Sequence, residues 1–137
     1  MKMTAGLVLL LSVGTSLLGG DLPSEVQAKF IKIIANSSGL NGTVACKDSG
    51  VTGAITATGC KIDPSAKVAY GNTEGEVKAM KSAGKLVICP KVELLSVGGA
   101  IAIIEEGGHP AIYLSVGNIA ASGVPLSDAI MKLGKKL

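Results

Sequence analysis

A chain of 137 residues, 47% of them apolar, is long enough for one domain with a sizeable buried core and too short for two. Aromatic residues make up 2%, tryptophan is missing and every one of the 13 basic residues is lysine, which excludes both stacking platforms for single-stranded nucleic acid and guanidinium forks for base edges. The net charge of +3 comes from lysines scattered along the chain, as on an ordinary solvated surface, so a polyanion patch is not expected.

The first element is an address label. Lys2 supplies a positive start, and the uncharged run Ala5 to Leu18 is too short to cross a bilayer comfortably, which takes about 20 residues. A signal peptide over 1–20 is therefore expected, cut near Gly20, although Val26-Gln27-Ala28 also satisfies the small-x-small rule. This leaves a single domain, 21–137, delivered to the periplasm.

Ser24 followed by Gln27 has the pattern of a capping box, and Val26, Phe30, Ile33 and Ile34 then recur at helical spacing until Gly39. Thr43 to Cys46 is a short strand. The Gly/Thr/Ser-rich stretch 48–59 fits a short helix or a loop equally well. Lys67 to Tyr70 is a second strand, Thr73 and Glu76 open a helix carried by Val77, Met80 and Ala83, and Gly84 stands where a C′ glycine belongs. Leu86 to Cys89 reads as a buried strand closed by Pro90, so strand, helix and strand form a parallel βαβ unit. Residues 98–115 read as a hairpin with a longer polar loop from Glu105 to Pro110. A short helix between Ser115 and Ser122 stops at Gly123, and a last helix from about Pro125 aligns Leu126, Ile130, Leu133 and Leu137. The expected fold is a three-layer α/β sandwich, a mixed sheet of about five strands with helices on both faces.

Catalytic chemistry finds little to work with. His109 is the single histidine and sits in the hairpin loop, where it makes no zinc site. There is no G-x-S-x-G, no G-x-G-x-x-G after a strand and no P-loop, since Gly84-Lys85 is followed by Leu86 where a Ser or Thr would be needed. Glu105 and Glu106 are neighbours at a hairpin tip and point apart into water. No enzyme activity and no cofactor or metal is expected. Among the cysteines, none forms a C-x-x-C pair. In an oxidising compartment their odd number suggests one bridge, with Cys46 joined to Cys89 because both close strands that a doubly wound order would bring together, or with Cys60 as the other half. Three reduced, buried thiols are the alternative.

The stretch AKVAYGNTEGEVKAMKSAGKLVICP, a hairpin opened by a glycine pair, and the ending SVGNIAASGVPLSDAIMKLGKKL together resemble the YfiR-like family of periplasmic proteins. The matching positions are Gly98, Gly99, Ala120, Gly123, Val124, Leu126, Ser127, Ile130 and Leu133, and the helix Glu25 to Ala35 is similar to the family's opening amphipathic helix. The resemblance implies an exported regulatory protein that holds a membrane diguanylate cyclase, or a related signalling protein, inactive from the periplasmic side. It would touch the membrane only through that partner and would bind no nucleic acid. The partner surface is expected on the exposed side of the first helix, at Lys29 and Lys32, and around the hairpin at Glu105, Glu106 and His109. The rival expectation is a periplasmic protein that binds a small molecule in a cleft at the carboxyl ends of the strands.

Overall fold

Short aliphatic runs separated by helices favour parallel pairing, because a strand that leaves through a helix returns in the same direction. In the computed structural model, which describes residues 22–36 and 40–137, five strands run parallel, with a helical segment in every connection but that between the second and third. They are β1 (Thr43–Cys46), β2 (Lys61–Ile62), β3 (Val68–Tyr70), β4 (Leu86–Cys89) and β5 (Ile101–Glu106). A sixth, β6 (His109–Leu114), returns antiparallel to β5, and β7 (Lys135–Lys136) pairs parallel with β6. The sheet is ordered β2-β1-β3-β4-β5-β6-β7, so the expected mixed α/β sheet is present with seven strands where about five were expected. The two unforeseen strands are the edges, each of two residues, too short to show any alternation in sequence. The expected signal peptide lies outside the described residues, and among those residues no helix is long and apolar enough to cross a membrane.

Four helices, α1 (Ser24–Ala35), α2 (Ser49–Ala57), α4 (Val116–Ser122) and α5 (Asp128–Leu133), cover one face of the sheet; α3 (Glu74–Ser82) and the 3₁₀ segment Val92–Val97 cover the other. Alternation along the strands divides the core between the faces. Val68 and Tyr70, Leu86 and Ile88, and Ile101 and Ile103 meet Ile31 and Ile34 of α1 and Ile55 of α2. On the second face the strands present Ala45, Ala69 and Ala102 with Val87, Cys89 and Ile104, against Val77 and Met80 of α3. Each large aliphatic side chain so buried contributes about 1.5–3 kcal/mol. The first core is the heavier and the second is made largely of small residues.

Local chemistry sets the element ends. The unsettled stretch 48–59 is helical because the Asp48 carboxylate accepts from Gly50 N at 2.9 Å and caps α2. At α3, Thr73 Oγ1 accepts from Glu76 N and the Glu76 carboxylate accepts in return from Asn72 N at 2.9 Å, one residue earlier than an ideal capping box. The box expected at Ser24 does not form: Pro23 caps α1 without a side-chain bond, while Gln27 is buried and donates Nε2 to Leu22 O. α1 closes at Asn36, ahead of the expected Gly39, which lies outside the described residues. Ile33, placed by spacing on the buried stripe, is instead 57% exposed.

The hairpin loop is tighter than expected. Gly107 and Gly108 both take positive φ, +62° and +81°, and make a two-residue turn that pairs Glu106 with His109 and Glu105 with Pro110. After α4, Gly123 adopts φ +70° as a left-handed cap, and Ser127 Oγ caps α5 through Ile130 N. α5 ends at Leu133, so the apolar face expected to continue to Leu137 dissolves into β7, and Leu133 and Leu137 are 63% and 67% exposed.

Candidate functional site

In an open parallel sheet the crevice for ligands lies at the carboxyl ends of the strands where the chain's winding reverses. Here that place is between β1 and β3, which send α2 and α3 to opposite faces. Asn72 Nδ2, just beyond β3, donates to Asp48 Oδ2, just beyond β1, at 3.2 Å, and so bridges the crevice.

The open space lies beside it, on the second face. β2 and β3 are parallel and flank β1, yet only residues 63–67 connect them, and no crossover helix covers that corner of the sheet. The result is a groove of about 320 Å³. One wall is α3 and its C-cap, at Ala79, Met80 and Ala83; the other is the 63–67 connection, at Pro64. Ala45 forms the floor together with the main chain at Cys46 and Ile62, whose side chains pack into the opposite core.

Charged groups stand at the two ends. Lys85 Nζ donates to Pro64 O at 2.9 Å and Ala66 O at 2.6 Å, and among the described residues it pairs with no carboxylate. Nearby, Asp63 is turned to Ser65, accepting from its backbone N–H and its hydroxyl; these two bonds, with a smaller pull from Lys85, hold its carboxyl below the usual range. Lys47 and Glu76 line the other end.

The residues expected to form a partner surface fall in two places. Lys29 and Lys32 are exposed on the outer side of α1, with Ile33 beside them. Glu105, Glu106 and His109 are at the hairpin, where consecutive strand positions turn the two acids to opposite faces. Glu105 Oε2 accepts from Gly108 N at 2.8 Å. The Glu106 carboxylate accepts from Tyr113 OH at 2.6 Å and from Lys135 Nζ at 2.8 Å, and these bonds, that of Lys135 first, hold it below the ordinary carboxylate range. Lys135 lies 5.2 Å from the centre of the Tyr113 ring and is raised in turn, chiefly by its bond to Glu106. His109 is exposed opposite Glu106. Among the described residues no three His, Cys, Asp or Glu side chains gather as a metal would need.

The expected bridge between Cys46 and Cys89 is not present, and all three cysteines are free thiols. β3 lies between β1 and β4, which puts the two strands about 10 Å apart, beyond the roughly 7 Å that a disulfide spans between Cα atoms. The side chains also pack into opposite cores. Cys60 is no nearer to Cys46: it precedes Lys61, which is in register with Thr43, so the pair is offset by about 13 Å along the strands. Burial pushes the Cys89 thiol up to about 12.

Sequence reasoning missed the groove, Lys85 and the Asp48–Asn72 bond. The usable signal was that Lys61-Ile62 and Lys67 to Tyr70 stand too close for a helix between them, and it was hidden because a two-residue strand has no pattern.

No protein-family model matches the chain, and no curated protein matches it. Among solved structures it is similar to the crystal structure of a conserved domain protein from Vibrio cholerae O1 biovar El Tor, with a TM-score of 0.63 and 11% sequence identity. The likeness covers 94% of this chain and 62% of that one, so this chain spans under two thirds of the structure it matches. At that identity the likeness shows the fold alone.

Proposed function

We propose that this protein is an exported, non-catalytic regulatory binding protein. Its target is the periplasmic domain of a membrane signalling protein, a diguanylate cyclase by the resemblance to the YfiR-like family, and it acts by occupancy: docking on the inactive state shifts the target's equilibrium towards it. Such a device needs anchors, and in a chain without arginine or tryptophan these must be aliphatic. The observation that carries the reading is Ile33, 57% exposed on α1 beside the exposed Lys29 and Lys32: an apolar anchor with cations at its rim.

The test is capture of partners from detergent-solubilised membranes with the exported protein as bait, alongside Ile33→Asp and Lys29→Glu/Lys32→Glu variants. Recovery of a membrane signalling protein by the parent chain and its loss with both variants is expected, as is a rise in second messenger on deletion of the gene. Intact mass of the periplasmic protein should correspond to a chain starting near Asp21. Unchanged second-messenger levels with no membrane protein captured would overturn the reading.

A second reading, a periplasmic small-molecule-binding protein, is favoured by the groove beside α3, whose volume of about 320 Å³ falls at the lower end of ligand sites.

A further inference from the structure

Where a doubly wound sheet would carry a crossover helix, residues 63–67 leave a trough between α3 and the β1–β2 edge, and its ends differ in charge. At one end Lys85 is held by two carbonyls, so two of its three ammonium hydrogens are committed and one remains, and among the described residues no carboxylate forms an ion pair with it. Asp63 does not take that place, because its carboxylate is bound to Ser65. At the other end Lys47 and Glu76 bring opposite charges and leave little net attraction for an ion. Between the ends the walls are alanine, methionine and proline.

We infer that this groove binds a medium-chain aliphatic carboxylate, its head on Lys85 and its chain lying along Ala83, Met80 and Ala79. The inference rests on reading the groove as a ligand site. One spare donor suits the single charge of a carboxylate, whereas a phosphate, with more charge and more acceptor oxygens, would need several donors converging on it.

The length follows from the register. Lys85 adjoins Leu86, which is level with Val68 and hence with Val44, so Lys85 and Lys47 are offset by four strand positions, about 13 Å measured along the strands. An extended alkyl chain advances roughly 1.3 Å per carbon, the projection of a 1.5 Å bond, so about ten carbons fill the trough.

The test titrates the ¹⁵N-labelled full chain with sodium octanoate and with 1-octanol, which match in length and differ in charge. Octanoate should shift the amides of Ala45, Ala79, Ala83 and Lys85 and bind about tenfold more tightly than octanol, the worth of one charged hydrogen bond. Lys85→Met should bring octanoate down to the affinity of octanol. As Lys85 also ties down the 63–67 connection, Ala79→Leu provides the independent variant: it fills the groove from an exposed helix position and should abolish binding of both probes with the remaining amide spectrum unchanged. Equal affinity for octanol and octanoate would overturn the carboxylate assignment and leave the groove a ligand site. Failure of both probes to shift the groove amides would overturn the carboxylate assignment and the ligand site together.

Discussion

Asn72 Nδ2 donates to Asp48 Oδ2 at 3.2 Å, a bond between residues 24 apart in sequence that ties the turn leaving β1 to the turn leaving β3. Asp48 uses its other oxygen to cap α2 through Gly50 N. One carboxylate thus starts a helix and bridges the reversal point of the sheet. Asp48→Ala removes both bonds and is expected to destabilise the domain by about 1–2 kcal/mol, and Asn72→Ala, which leaves the cap, by about half as much. Urea unfolding at constant m would show it, and a Tm unchanged in both variants would contradict it.

Both members of the pair Gly98-Gly99 are constrained, Gly98 by its φ of +129° and Gly99 by close packing. A Cβ on Gly99 would stand 2.8 Å from Cys89 Sγ and 3.0 Å from Leu94 O, and a backbone carbonyl cannot move aside cheaply. Gly99→Ala should therefore cost about 1–3 kcal/mol by overpacking. Pairing it with Cys89→Ala should recover part of that loss, read as a coupling in a double-mutant cycle.

The three thiols should separate by access. Without denaturant and at neutral pH, alkylation should reach half-buried Cys46 first, while Cys60 and Cys89 react only on unfolding. Mass spectrometry with and without reductant should count three free thiols in both cases. Cys89 also gives a pH signature. Its folded thiol ionises only near 12, while an unfolded cysteine does so near 9.0, so the stabilising difference is complete below pH 9 and is lost as pH rises towards 12. Cys89→Ala should flatten the alkaline fall in stability.

At the hairpin the sign is opposite. Glu106 is held below the ordinary carboxylate range by Lys135 and Tyr113, so its contribution is present above the unfolded carboxylate range and fades as pH falls through the folded value. The side chain's ¹³C carboxyl titration should show a lowered midpoint. Lys135→Ala should return it towards the ordinary range further than Tyr113→Phe does, following the order of the two causes.

Much of the frame was legible in the residues themselves. Thr43–Cys46 and Leu86–Cys89 are strands with the bounds that their aliphatic runs announce, and the Thr73 cap and Gly123 stop act locally as their side chains or lack of one require. Such signals are carried by a few adjacent residues, and the chain alone determines them. What only the tertiary structure decided is everything that depends on which strands become neighbours. Lys61–Ile62 and Lys135–Lys136 are strands because a partner offers hydrogen bonds there. Cys46 and Cys89 stay apart because β3 enters between their strands and alternation turns them to opposite faces. Lys85 becomes the fixed cation of a groove because the 63–67 connection, too short for a helix, folds back within reach of its ammonium. Pairing order and register set these distances, and neither is encoded in any local run of residues, because each is the outcome of burying all the aliphatic faces at once.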